Sequence, residues 1–247
     1  MRLVMSLLFC LFVSSTALAG GSKPVRLFIL SGQSNMKHLE PGEVFTPAIE
    51  KAFPENENVI VKLAFSGELI RMWCKDWKLP PGAKASGAGQ NGAIYDKLMS
   101  DVKAAMKGKP APISVTYLWM QGEADGMQSG YGSAYRAALE GMIGQLKKDL
   151  GRDDIDVIIG RISDLYVKNP QYPDWDMVRE AEVDYAEKTP RTAWIDPDDM
   201  NDTKIGNGLH YTAAGYQKLG ERFAAKAIEM IQNPATAAKP DRAGAAK

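Results

Sequence analysis

Two histidines are all that this chain of 247 residues holds, and imidazole is the side chain that most readily carries a proton at neutral pH. A base-assisted nucleophile therefore has only His38 and His210 to draw on. Ser34 lies in Gly32-Gln33-Ser34, straight after the apolar run 25–30. A tight turn there exposes a hydroxyl at a sheet edge and sets backbone N–H groups beside it. His210 sits in Asn207-Gly208-Leu209-His210-Tyr211, ahead of the last amphipathic stripe, where a loop could carry its ring over the first strand's end. A serine and a histidine so placed perform acyl transfer through a covalent intermediate. Acyl transfer of this type needs no cofactor, and two histidines with Cys74 leave too few ligands for an ordinary zinc site, so neither a cofactor nor a metal is expected.

Two acidic stretches follow other apolar runs. Glu123 and Asp125 stand in Gln121-Gly122-Glu123-Ala124-Asp125. They could orient loops by accepting backbone N–H bonds, hold substrate, or lie near the histidine. The run Asp196-Pro197-Asp198-Asp199-Met200-Asn201-Asp202 reads either as a solvated loop or as a source of carboxylate. Met200 and Asn201 fall where a calcium loop needs a ligand and a glycine, so the run is a poor fit to such a loop.

Short apolar runs at 25–30, 59–65, 113–120, 155–162 and 192–195 predict five strands, several ending in a polar turn. Helices are predicted near 93–107, along Tyr135, Leu139, Met142, Ile143 and Leu146, along Trp175, Val178, Ala181 and Tyr185, and along Tyr216, Leu219, Phe223 and Ala227, with Thr212 as N-cap of the last. Such alternation predicts a three-layer α/β/α sandwich with a mostly parallel, about five-stranded sheet, ligands binding at the carboxyl ends of the strands. The Gly-, Ala- and Pro-rich stretch 80–92 reads as a flexible surface insertion.

Thirty basic residues balance thirty acidic ones, the pI is near 6.8, and 45% of residues are hydrophobic. Nothing there suggests a nucleic acid partner, and wholesale disorder or a multispan membrane protein is excluded. Arg2, the apolar stretch 3–13 and Ala17-Leu18-Ala19 have the form of a cleavable signal peptide over residues 1–19. The mature domain is then 20–232, secreted or periplasmic and not membrane-bound, with an Ala-, Pro- and Lys-rich disordered tail at 233–247. Cleavage leaves Cys74 as the sole thiol, which reads as a packing residue rather than a disulfide partner.

Gly32-Gln33-Ser34-Asn35-Met36, the Gly67 turn, Trp119-Met120-Gln121-Gly122-Glu123-Ala124-Asp125, and the His210 segment followed by Ala214-Gly215-Tyr216 and Gly220-Glu221-Arg222 fall in the order seen in SGNH hydrolases. The chain most resembles their sialate O-acetylesterase-like branch, which includes carbohydrate esterase family six. The resemblance spans about residues 24–231 and implies a flavodoxin-like sandwich. It also implies that Ser34 is the nucleophile, His210 the general base, and the N–H groups of Ser34 and Gly67 with the Gln121 amide an oxyanion hole. Glu123 and Asp125 match the Gly-Glu-x-Asp motif of that branch.

One position departs from the pattern. Many relatives carry Asp three residues before the histidine, and here it is Asn207. An Asn carbonyl can fix the tautomer but brings no charge, and in the serine protease triad the Asp to Asn exchange costs about ten-thousand-fold in turnover. Asp199 or Asp202 could replace the carboxylate, Glu123 could reach the ring, or Ser34 and His210 could work as a pair. A displaced carboxylate is the favoured reading. Gln33, Arg71, Trp73 and Asp125 are candidate substrate contacts, with Trp77 beside them, since indole faces stack on sugars and guanidinium binds hydroxyls or carboxylate. Buried packing for the tryptophans and an ion pair for Arg71 are the alternatives. The expected activity is removal of O-acetyl groups from a sugar or polysaccharide by an exported serine esterase. The rivals are a noncatalytic carbohydrate-binding or adhesion module and an SGNH hydrolase acting on another acyl ester. Oligomeric state has no signature here.

Overall fold

The computed structural model describes residues 22–200 and 208–234. The signal-like segment 1–19, Asp202, Asn207 and nearly all of the tail fall outside the described residues. Within them, five strands, β1 (Val25–Gly32), β2 (Glu57–Ala64), β3 (Ser114–Met120), β4 (Asp156–Gly160) and β5 (Thr192–Ile195), pair in parallel in the order β2-β1-β3-β4-β5. The inner strands β1, β3 and β4 are covered on both faces. That is why they read as continuous apolar runs rather than as alternating ones.

Among the described residues, seven helices accompany the sheet. On one face α3 (Ala93–Ala105), α5 (Gly132–Leu150) and α6 (Asp174–Lys188) enclose a core with Leu27, Trp119 and Ile159. On the other, α2 (Phe45–Ala52) and α7 (Ala213–Gln232) pack on Phe28, Leu118 and Ile158. Two short helices, α1 (Ser34–His38) and α4 (Glu123–Met127), sit at strand ends. The predicted three-layer α/β/α sandwich is the observed fold. Thr212 caps α7 as expected, its Oγ1 accepting from Gly215 N at 3.2 Å.

α2 had no clear signature: it has only eight residues and includes Pro47. Proline is tolerated there because the first-turn N–H groups of a helix have no partner within it. The 80–92 stretch is irregular, as expected, but it is tied down rather than loose. The Tyr131 hydroxyl bonds Ser86 N and the Lys84 carbonyl, and Asn91 Nδ2 donates to the Trp77 carbonyl.

The strand order reverses direction between β1 and β3, which makes their carboxyl ends the natural ligand site of the sheet. Gly32 closes β1 there, at φ +146°. A Cβ at that position would lie 1.9 Å from the Met120 carbonyl oxygen of β3, so only glycine lets the two backbones approach.

Candidate active site

Ser34 opens α1 two residues beyond Gly32 and is nearly buried. Its place is set by backbone on both sides. Gln33 N donates to the Met120 carbonyl at 2.9 Å, and Phe65 N donates to the Gly32 carbonyl at 3.1 Å. These bonds tie the turn to the ends of β3 and β2. Gly67 follows on the β2 side in an exposed left-handed turn at φ +71°, where a Cβ would meet nothing within 4 Å. Conformation rather than space therefore selects glycine at that turn.

The last loop reaches the same place. Asn35 Nδ2 donates to the Leu209 carbonyl at 3.1 Å, across 174 positions of sequence. The next ring along, His210, packs edge-on to His38 with centroids 5.5 Å apart, and His38 also meets Tyr216 at 5.7 Å. The structure thus brings the His210 segment against the helix that Ser34 begins. Burial, and secondarily the charge of His38, hold the His210 imidazole below its usual value of 6.5. A neutral ring at pH 7 is the form a general base needs.

Beneath the turn, the polar residues after β3 are fully enclosed and face one another. Gln121 Nε2 donates to Asp125 Oδ2 at 2.6 Å, to the Glu68 carbonyl at 3.0 Å and to Gln33 Oε1 at 3.3 Å. The Gln121 donors are spent inside the protein, which corrects their expected place in an oxyanion hole. Asp125 Oδ2 also accepts from Ile70 N at 2.9 Å. It is a strut beneath the loop after Gly67 rather than a substrate contact, and burial pushes its carboxyl up to about 7. Glu123 Oε1 accepts from Asn35 Nδ2 at 2.6 Å. Among the described residues Glu123 therefore meets Asn35 rather than the imidazole, and burial raises its pKa as well.

Gln33 is oriented by its carbonyl end. Its Oε1 accepts from Ala124 N at 3.1 Å and from Gly122 N at 3.5 Å, besides Gln121. Its Nε2 makes no hydrogen bond among the described residues.

Four further candidates are engaged by other parts of the protein. Arg71 is only 6% exposed. Its guanidinium donates to the carbonyls of Ala88 at 2.6 Å and Gly89 at 2.9 Å and to Asn91 Oδ1 at 3.2 Å, so it organises the 87–92 loop. Trp73 is wholly buried, its Nε1 on Ser31 Oγ at 2.9 Å and its ring edge-on to Trp119. Trp77 stacks on Tyr131. Asp199 is ion-paired to Arg222 at 2.7 Å and to Lys218 at 3.2 Å, which holds its carboxyl below the usual range. That cation pair, not the imidazole, is its partner. Sequence reasoning gave no role to Asn35, Tyr216 or Phe65. The first two stand inside the quoted motifs, and Phe65, 38% exposed beside Gly67, carried no signal beyond its position.

The parallel 2-1-3-4-5 sandwich, with Ser34 just beyond the first strand and His210 just ahead of the last helix, has the order that the resemblance implied. The chain belongs to the carbohydrate esterase, sialic acid-specific acetylesterase family, whose model matches residues 37–229. It is a hydrolase acting on ester bonds, of the carbohydrate acetylesterase class. The match begins three residues beyond Ser34 and does not include it. Among solved structures, the chain is similar to a protein of Arabidopsis thaliana, at 19% identity and a TM-score of 0.63, over 85% of this chain and 99% of that one. It is also similar to a carbohydrate acetylesterase from Xanthomonas citri, at 16% identity and a TM-score of 0.59, over 84% and 56%. NanS matches at 14% identity and a TM-score of 0.59, over 86% and 99%. At these identities the likeness concerns the fold. No curated protein sequence matches the chain.

Proposed function

We propose that this chain is an exported serine esterase that removes O-acetyl groups from a sugar or polysaccharide through an acyl-enzyme formed on Ser34. The observation that carries the reading is the docking of the His210 segment on α1, through Leu209 on Asn35 and His210 on His38. In the proposed reaction His210 takes the Ser34 proton as Oγ attacks the ester carbonyl carbon. The oxygen of the tetrahedral intermediate gathers negative charge and accepts from the N–H groups of Ser34 and Gly67. With Gln121 committed internally, the Gln33 amide is the third donor in this reading, supported by an Oε1 held from three sides and an Nε2 with no partner among the described residues. One such donor is worth about 3 kcal/mol in acyl transfer. Collapse breaks the ester bond, and the His210 proton passes to the departing sugar hydroxyl. Water, deprotonated by His210, then attacks the acyl-enzyme and releases acetate and free Ser34.

The substrate class follows from the family. Arg71 and Trp73 are enclosed, so in this reading the stacking surface for the sugar is Phe65 at the β2 rim, next to Gly67. Export follows from the signal-like residues 1–19. Acetate release from acetylated xylan, O-acetyl sialic acid and p-nitrophenyl acetate by wild type and Ser34→Ala tests the reading. Turnover by the wild type and none by Ser34→Ala is the expected result. Equal release by both would reject Ser34 as nucleophile, and no release by either would favour the noncatalytic module.

A further inference from the structure

Asn35 is sealed from solvent at the second position of α1, one residue beyond Ser34. Its carboxamide joins three other parts of the chain. Nδ2 donates to Glu123 Oε1 at 2.6 Å and to the Leu209 carbonyl at 3.1 Å, while Oδ1 accepts from the Tyr216 hydroxyl at 3.0 Å. Both N–H bonds and the oxygen are thus in use. Aspartate would lose both donors and place a carboxylate against Glu123, and glutamine would overreach by a methylene. A short carboxamide is what these partners require.

Leu209 immediately precedes His210, so a bond to its carbonyl fixes the peptide from which the imidazole side chain leaves. Tyr216 belongs to the first turns of α7, so its bond to Oδ1 ties the far end of the same loop to the same side chain. Glu123 backs the arrangement from α4. A carboxylate accepts an N–H bond more strongly than a neutral oxygen does, and Glu123 has no ion pair among the described residues to divert it. This gives the Glu of the Gly-Glu-x-Asp block a role that requires no contact with the ring.

Resting on the Ser34 and His210 reading above, we propose that Asn35 is the positioning residue that docks the catalytic histidine loop onto the nucleophile's helix. It acts through Leu209, with Glu123 and Tyr216 holding its amide in plane. It touches neither substrate nor reacting atoms, and its effect is on where the base stands.

Asn35→Leu keeps the approximate size and removes every polar contact. A base displaced by about 1 Å costs about a hundred-fold, so kcat should fall by about that factor with KM nearly unchanged. The second readout is independent of activity. With two histidines in the chain, the imidazole carbon protons give few resonances, and His38→Gln assigns them. His210 titrates below 6.5 while its segment is docked, and in Asn35→Leu its midpoint should move up. Wild-type kcat and wild-type His210 titration in folded Asn35→Leu would overturn the proposal. So would a lower kcat with the titration unmoved, since the fault would then lie with Ser34. If the leucine variant does not fold, Asn35→Ala, which demands no extra space, is read in the same two ways. Failure of the functional reading is separable: full turnover by Ser34→Ala removes the Ser34 mechanism while leaving the His210 titration to judge Asn35 alone.

Discussion

Two acidic groups lie near the strand ends, and the chain treats them in opposite ways. Asp198 and Asp199, on the run after β5, are met by cations. Arg179 binds Asp198 through two nitrogens at 2.8 and 2.9 Å, Arg161 adds a bond at 2.6 Å and also pairs with Asp196, and Arg222 binds Asp199. Glu123, Asp125 and Glu182 are fully enclosed and are held mainly by amides, hydroxyls and backbone N–H groups. Burial raises all three carboxyls, whereas Arg222 lowers that of Asp199. Charge pairing fastens a loop to the outside of the domain. Neutral donors around a costly buried acid fix the geometry beneath a site, where a strong neighbouring cation would perturb a working imidazole.

The largest expected effect that tests this contrast is on stability. Asp198→Ala leaves Arg161 and Arg179 without their shared partner. It should lower unfolding free energy by about 2 kcal/mol, less than a fully buried pair because Asp198 is partly exposed. The urea midpoint measures it, and the folded fraction should keep near-normal turnover. Glu123→Leu should do the reverse, lowering kcat about ten-fold by removing the acceptor behind Asn35, while Glu123→Gln, which keeps that acceptor, restores most of the rate. Loss of kcat in both variants alike would mean that the charge itself matters.

Asp125 gives a pH test. Its folded pKa of about 7 lies above its unfolded 3.8, so between these values the folded protein holds a proton that the unfolded chain has released. Stability from this group is therefore greatest at low pH and declines as pH rises through about 4 to 7. Asp125→Asn retains an acceptor for Ile70 N and should flatten that decline, raising Tm at pH 8 relative to wild type. A steeper decline would contradict the protonated-acid reading. Asp199→Asn should have the smallest effect, within about 0.5 kcal/mol and with unchanged kcat, as befits an exposed ion pair. A ten-fold fall in kcat would return Asp199 to the histidine.

Much of this was readable from residue order. Apolar runs located all five strands, because buried parallel strands must be apolar, and the polar blocks lie at their carboxyl ends. What stayed hidden was side-chain direction. Gln121, Arg71 and Trp73 belong to the right segments, yet each turns inward to bond Asp125, the Ala88 carbonyl or Ser31. Spacing along a loop does not specify which way a side chain points. Glu182 had no signal at all: its pattern is that of any acid on an amphipathic helix, and only the folded sheet turns it toward Ile162 N. Asn35 was in view inside the Gly32 motif, but its partners lie 88, 174 and 181 positions away.

The close approach of Gly32 to Met120 has a consequence for redesign. The height at which the serine leaves the sheet is set by two main chains in contact, not by any group that faces substrate. Exposed side chains near the strand ends, such as Phe65, can therefore be exchanged without moving the turn that carries Ser34. Altering the β1–β3 seam itself, even by one methyl group, would move the hydroxyl before it changed any specificity.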